Sequence, residues 1–427
     1  MIKISNSLTN KDLDLINLSS DKEISIEIIP TFAYPPGQFS QLLQILFTKI
    51  RNEQNASIQF DIDENDEQYI FEKFYIYYQF LVIVLFSKNL SHVKILNKNG
   101  VSISKEKLCS LSITKLNLQE ELYSLTFEPA LSYDSPRSKI EDLRKQFFSD
   151  RGDEKEYGGL SFLISNFDHI AALRKTSYFY NNTGTLRLKS EIISWVTKVF
   201  KYNKLNIREG IYRNETHNDI AIVLKELFDN TEEWGRSNYN DTIEYNPNVR
   251  SCFINILMDR RVQHLSSRKD DPVIDYVTTL VNSNPEDLYI PKWQSELYSH
   301  SKVGLCEISI LDTGPGMARR WLGKDYSDLT KEEEEKAVIN CFNKYVTSDS
   351  TARYQVRGRG LNNVIKVIGN SGYLIVRTGH VSLFRNFFDE KLSKYESDGF
   401  GLTFKTDYKG LVEGTSITIL YPFLYQQ

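Results

Sequence analysis

The stretch Glu307-Ile308-Ser309-Ile310-Leu311-Asp312-Thr313-Gly314-Pro315-Gly316 joins two local signals. Ile308 and Ile310 alternate with polar residues, which predicts a short strand over 307–311. Asp312 follows at once and opens a loop that contains two glycines. Asp and Gly are also the usual residues of ordinary turns, so the stretch alone leaves a plain strand-to-helix turn equally open. It predicts a strand that delivers a carboxylate into a tight loop.

A helix is predicted upstream of this loop. The capping residues His217-Asn218-Asp219 precede an apolar-periodic run, which predicts a helix start at that point. Glu226 and Asn230 are four residues apart and therefore project from one helix face. A carboxylate there can accept a proton from an attacking water or hydroxyl, and an amide oxygen can ligate magnesium. Taken alone, the pair is more typical of an ordinary solvated helix face.

Two glycine-containing segments follow downstream. Gly358-Arg359-Gly360-Leu361 precedes a helix predicted over 361–368, and glycines that open a helix expose backbone N–H groups to a phosphate. Arg357 and Arg359 would add positive charge there. A lone Gly-x-Gly is a weak signal. Gly414-Thr415 opens the last predicted strand, 416–420, and by itself marks only the start of that strand.

In this order, the four segments resemble the N, G1, G2 and G3 boxes of the GHKL superfamily, which includes gyrase B, MutL and histidine kinases. The resemblance covers roughly residues 205–423. It implies a Bergerat-type α/β sandwich, in which helices cover one face of a mixed sheet. It also implies ATP and Mg2+ as ligands, with Glu226 as the general base, Asn230 as the magnesium ligand and Asp312 as the adenine anchor.

The resemblance implies that further residues of the pocket contact the base or the phosphates. They are Gly314, Gly316, Arg357, Gly358, Arg359, Gly360, Leu361 and Thr415. The stretch at about 317–357 would be the ATP lid. Its acidic run, Glu332 to Glu335, is typical of a solvated helix face.

The branch of the superfamily follows from what surrounds the motifs. Among six histidines, His169 is the candidate phosphoacceptor, but its neighbours lack the acid and proline of a histidine-kinase H box. Glu233 stands where histidine kinases usually carry a basic residue. We therefore expect an ATPase that switches conformation or partners through slow hydrolysis. A protein kinase acting on a partner and a nucleotide-gated binding module without turnover remain alternatives.

The bulk properties are those of an ordinary intracellular protein. A net charge of -4 and a pI near 6.0 do not indicate a nucleic-acid partner. The most apolar run, 74–86, is too short for a membrane span, which needs roughly 20 apolar residues. The start of the chain shows no signal-peptide core. The four cysteines form no CxxC pair, which predicts reduced thiols. We expect a cytoplasmic protein that contacts no membrane, binds a protein partner and is open to homodimer formation.

A chain of 427 residues predicts two domains. Alternating strand and helix patterns indicate a smaller α/β domain over 1–145, loosely similar to regulatory STAS-type modules. Residues 146–204 are predicted to be a linker and helical connector. The ATP-binding domain would then span 205–427, with an insertion at about 259–300.

Overall fold

The structure is a computed structural model of the full chain. It describes residues 2–4, 23–26, 36–52, 57–60, 94–96, 159–167, 179–180, 185–202, 211–240, 242–243, 248–257, 271–283, 302–343 and 360–425. The chain divides into two compact units. One comprises Met1–Tyr34 with Ile45–Glu156, and the other comprises Pro35–Gln44 with Tyr157–Gln427.

The first unit contains a parallel four-stranded sheet. Its strands, in spatial order, are β1 (Ile2–Ile4), β2 (Glu23–Ile26), β3 (Ser57–Phe60) and β4 (Lys94–Leu96). Parallel neighbours require crossover connections, which agrees with the predicted α/β character of the N-terminal part. The sequence pattern at 66–88 also predicts a helix, which lies outside the described residues. The similarity to STAS-type modules stays a prediction.

The second unit is built on a five-stranded sheet in the order β5-β6-β7-β9-β8. Its strands are β5 (Gly159–Phe167), β6 (Val249–Leu257), β7 (Lys302–Asp312), β8 (Tyr373–Asn386) and β9 (Lys405–Tyr425). Each neighbouring pair is antiparallel, so the expectation of a mixed sheet is wrong for these strands. The reason is that β9 lies between β7 and β8, which run in the same direction and would otherwise form a parallel pair.

The helices are α1 (Gln38–Asn52), α2 (Lys189–Tyr202), α3 (Ile211–Trp234), α4 (Pro272–Asn282), α5 (Met317–Leu322), α6 (Lys331–Asn340), α7 (Gly360–Ile368) and α8 (Lys394–Ser397). Because α3 begins at Ile211, the predicted start at His217 is wrong. His217 is instead buried inside the helix, with its Nδ1 3.1 Å from Thr197 Oγ1. Among the described helices, none has the length and apolar character that a membrane crossing requires.

Helices cover both faces of the five-stranded sheet, contrary to the expected single helical layer. The end of α3 lies against Asp312 on one face. On the other face, α4 packs its Val277 and Leu280 into a core with Leu305 and Leu420. The physical reason is that β7 carries apolar residues in both alternating positions and is buried almost throughout, so each face must be covered.

Two predicted boundaries differ from the structure. The predicted connector, 146–204, contains β5, which pairs with β6 over its full length. Apolar residues at 160, 163, 164 and 167 have helical spacing, but the open edge of β6 offers unpaired backbone groups that a strand satisfies. The predicted insertion, 259–300, contains α4, whose apolar side chains belong to the core.

The acidic run on α6 is not a uniformly solvated face. Glu334 is fully buried and accepts hydrogen bonds from the backbone N–H of His380 at 2.7 Å and from the Tyr408 hydroxyl at 3.2 Å. Glu333 caps its own helix through Thr330. The sequence prediction failed for Glu334 because its partners lie on β8 and β9, far along the chain.

Candidate functional site

Four polar residues form a row across one end of the five-stranded sheet. The strand register places Arg250 of β6 opposite Asp312 of β7, Asp312 opposite Thr415 of β9, and Thr415 opposite Thr378 of β8. All four side chains are buried. Two of them, Asp312 and Thr415, were predicted from separate motifs, and the sheet brings them into direct register.

The loop after β7 is fastened on both sides of this row. Thr313 exchanges hydrogen bonds with Val249: the Val249 N–H donates to Thr313 Oγ1 at 2.9 Å, and the Thr313 N–H donates to the Val249 carbonyl at 3.1 Å. Further along, the Met317 N–H donates to Thr378 Oγ1 at 2.9 Å. Thr378 Oγ1 also lies 3.3 Å from Thr415 Oγ1. The loop that carries Asp312 is therefore fastened to β6 on one side and to β8 on the other.

Asp312 is a buried acceptor. Its Oδ1 receives the Gly314 N–H at 2.9 Å. Burial raises the pKa of the Asp312 carboxyl to about 6, while the Gly314 N–H, the Arg250 charge and the Thr415 N–H oppose that rise. At neutral pH the group is a carboxylate, which only accepts hydrogen bonds. Such a group can bind the exocyclic amine of a base.

Helix α3 carries the second set of predicted residues. Its apolar face, which includes Val223, Leu224 and Leu227, is buried, whereas Glu226 and Asn230 lie at the half-buried margin. The neighbouring Lys225 and Asp229 pair with each other at 2.6 Å. Because Glu226 and Asn230 are four residues apart within this helix, they share one of its faces, as the spacing predicted.

Helix α7 brings the third motif to these two side chains. A Cβ atom on Gly360 would lie 2.9 Å from Glu226 Oε2 and 3.7 Å from Asn230 Oδ1. Glycine is therefore the residue that lets the start of this helix approach the acid so closely. One turn later, Asn363 Nδ2 donates to Glu226 Oε1 at 3.0 Å and fixes the orientation of the carboxylate.

The two ends of the site are connected by α3 itself. Just beyond the helix, Gly235 lies against Asp312, because a Cβ atom on Gly235 would be 2.9 Å from Asp312 Cβ. Asn248 Nδ2 donates to the Gly235 carbonyl at 2.7 Å and secures this contact. Nine residues of helix place Glu226 about 13 Å from it. The arrangement suits an extended ligand with a base at one end and charged groups at the other.

The residues present fit a magnesium ion at the Glu226 end. Asn230 Nδ2 is buried and has no hydrogen-bond partner among the described residues. A 180° rotation of the amide would direct its oxygen to the same side, and magnesium favours oxygen ligands. The described part of the chain contains no group of three or more His, Cys, Asp or Glu side chains suited to a metal. Magnesium is commonly held by one or two protein ligands together with substrate phosphates.

Several predicted residues remain to be placed. Gly314 and Gly316 lie in the buried loop after Asp312, and Leu361 lies in the first turn of α7. Arg357, Gly358 and Arg359 lie outside the described residues, and so do His169 and the part of the predicted lid from 344 to 357. The described part of the lid is fastened to the loop, since Arg319 Nε donates to the Pro315 carbonyl at 2.7 Å.

Sequence reasoning missed three residues that the structure adds to the site. Arg250 and Thr378 complete the row across the sheet, and Asn363 contacts Glu226. Asn363 carried a usable signal, because it follows Gly360 by three residues and therefore faces the same side of the helix. Arg250 and Thr378 lie within β6 and β8. Only the order of the strands in the sheet shows which residues are their neighbours.

Comparison of the chain with protein-family descriptions, curated proteins and solved structures gives no match.

Cys252, Cys306 and Cys341 are free thiols, in agreement with the prediction of reduced cysteines for these three.

Proposed function

We propose that the second unit is a GHKL-type ATPase domain that binds Mg-ATP and hydrolyses it slowly. The observation that carries this proposal is the meeting of separate motifs at two points along α3. Glu226, Asn230 and Gly360 converge at one end, and Asp312 is in register with Thr415 at the other. The finer description as a Bergerat-type sandwich belongs to this proposal.

The proposed chemistry assigns one task to each end. Asp312 accepts a hydrogen bond from the adenine amine, and Thr415 lies beside it. At the other end, Glu226 takes the proton of the attacking water, with its carboxylate oriented by Asn363. Asn230 would hold Mg2+, which when bound supplies positive charge to the phosphates. The Gly360 backbone, together with Gly358 and the arginines 357 and 359, would contact those phosphates.

The proposed output is a change of conformation or of partner contacts driven by ATP binding and reset by hydrolysis. A protein partner and a cytoplasmic location belong to this proposal, and a homodimer is one form that the assembly could take. We propose hydrolysis as the reset step because the site contains a candidate base, Glu226, and because the end of α3 is rich in acidic residues.

The test is magnesium-dependent ATP turnover by the full chain and by Glu226→Gln. We expect Glu226→Gln to bind ATP normally and to lose turnover by about 100-fold or more, because general-base catalysis contributes at least that factor. Glu233→Gln is the matched control, since Glu233 is an exposed acid on the same helix. It should hydrolyse ATP at the wild-type rate.

Binding is tested separately with Asp312→Asn. An amide in place of the carboxylate offers a donor as well as an acceptor to the adenine amine, so we expect ATP affinity to fall by about 10- to 100-fold. Wild-type turnover in Glu226→Gln would refute the role of Glu226. ATP binding without turnover in the wild type would favour the nucleotide-gated module, and transfer of the γ-phosphate to a copurified protein would favour the kinase.

A further inference from the structure

Arg250 is a fully buried cation near the start of β6, a strand that is buried along its whole length. Its Nη1 lies 2.8 Å from Glu232 Oε2 and donates to the Tyr180 hydroxyl at 3.0 Å. Its guanidinium lies over the Phe228 ring, 5.3 Å from the centroid. The charge is therefore surrounded by a carboxylate, a hydroxyl and an aromatic face.

The stability of the fold does not account for this arginine. Removing a charge from water is expensive, and well-packed apolar residues commonly replace buried ion pairs without loss of stability. Cys252, two residues along and on the same face of the strand, is a buried apolar side chain. The position of Arg250 points instead to the neighbouring strand.

The neighbour of Arg250 across the strand pair is Asp312. A positive charge beside a buried carboxyl favours the ionised form, and the Arg250 charge is one of the effects that hold down the pKa of Asp312 against burial. Glu232 partly neutralises this charge from α3 and is itself 3.2 Å from Arg236 Nη1. The field at Asp312 thus depends on the balance between Arg250 and Glu232.

We infer that Arg250 is a positioning residue for adenine recognition, which keeps Asp312 a carboxylate so that it accepts the adenine amine, and that Glu232 tunes this effect. The inference rests on the proposed function for its ligand, but the electrostatic action on Asp312 is measurable without any ligand.

The groups that face Asp312 define the expected response. Arg250 acts on it from β6. Glu232 on α3 and Arg236, just beyond the end of α3, act through Arg250. The Gly314 and Thr415 N–H groups donate to it from the loop and from β9. The Tyr180 hydroxyl stays neutral because burial raises its pKa. Changing Arg250 or Glu232 alters the charge near Asp312 and leaves both backbone donors in place.

The first experiment follows the titration of Asp312 in the ligand-free protein through the amide resonance of Gly314, which donates to its Oδ1. The wild type should titrate near pH 6. Arg250→Met should raise that midpoint by about one pH unit, the usual effect of losing a nearby opposite charge. Glu232→Gln should lower it, because the arginine is then no longer neutralised. Arg250→Lys retains the positive charge and should keep the wild-type midpoint.

The second experiment measures adenosine affinity by calorimetry between pH 5.5 and 8.5. Adenosine is used because nucleotide phosphates protonate near pH 6 themselves. Affinity should fall as the pH drops through the midpoint of Asp312. Arg250→Met should bind several-fold more weakly at pH 6 and recover at pH 8.5, whereas a structural defect would not recover with pH.

Unchanged titration midpoints in Glu232→Gln and in a folded Arg250→Met would overturn the inference. If Arg250→Met does not fold, a lowered midpoint in Glu232→Gln beside an unchanged midpoint in Arg250→Lys supports the inference, and an unchanged midpoint in Glu232→Gln overturns it. Absence of adenosine binding by the wild type would count against the proposed function instead, because the titration of Gly314 reports the effect of Arg250 independently.

Discussion

At the residue scale, Gly414 brings two of the sequence motifs into direct contact. Its φ of +74° lies in the left-handed region, which disfavours residues with a Cβ. A Cβ atom there would also lie only 1.9 Å from the carbonyl oxygen of Asp312. Glycine at this position is therefore required twice, by backbone conformation and by the approach of β9 to the loop after β7.

We expect Gly414→Ala to lower the free energy of unfolding by about 3 kcal/mol or more, because strain of about 1–2 kcal/mol adds to overpacking against backbone. It should also displace Asp312 and weaken ATP binding. Gly323→Ala is the control, since Gly323 has a φ of +64° with nothing within 4 Å of a Cβ atom. The control should cost about 1 kcal/mol and leave ATP affinity unchanged. Equal losses in a denaturant titration would show that the contact with Asp312 contributes nothing.

At the element scale, the start of α1 is held by polar groups on the sheet face opposite to the site. The Gly37 N–H donates to Glu307 Oε1 at 2.7 Å, and Gln38 Nε2 donates to Asp271 Oδ2 at 3.0 Å. Glu307 is buried, and its burial raises the pKa to about 7 from an ordinary 4.5. Glu307, a buried polar residue on this sheet face, thus holds the start of α1 through a hydrogen bond.

The raised pKa of Glu307 makes a pH-dependent contribution to stability. A carboxyl whose pKa is higher in the folded state contributes fully below its unfolded value, near 4.5, and loses that contribution as the pH rises through about 7. Glu307→Gln lacks this loss. We expect its unfolding free energy, relative to wild type, to increase by about 3 kcal/mol between pH 4.5 and 8. Denaturant titrations at several pH values measure the difference, and a parallel pH dependence of the two proteins would contradict it.

At the scale of the whole molecule, the second unit is assembled from two separated parts of the chain. Residues Pro35–Gln44 belong to it although more than one hundred residues separate them from Tyr157. Within this segment Phe39, Leu42 and Leu43 are buried, and Phe39 packs on Phe253 with ring centroids 5.3 Å apart. A continuous C-terminal fragment therefore lacks part of its own core.

We expect a fragment of residues 157–427 to be less stable than the second unit of the full chain by on the order of 5 kcal/mol, because three large apolar side chains no longer cover the sheet. All four tryptophans lie in this fragment, so their fluorescence reports the unfolding of this unit in both proteins. A peptide of residues 35–52 should restore stability, and the same peptide with Phe39→Ala should restore less. Equal midpoints without peptide would show that the segment is dispensable.

The sequence by itself determined the local parts of the site. Helix spacing placed Glu226 and Asn230 on one face, and strand alternation placed Asp312 at the end of β7. Short glycine-containing motifs identified Gly360 and Gly414. All of these signals could be used because they depend only on neighbours in the chain. Tertiary structure decided the strand order, the second helical layer, and the meeting of Arg250 with Asp312. Residues 62 positions apart become neighbours only through the pairing of β6 with β7, and a buried arginine becomes informative only when its surroundings are known.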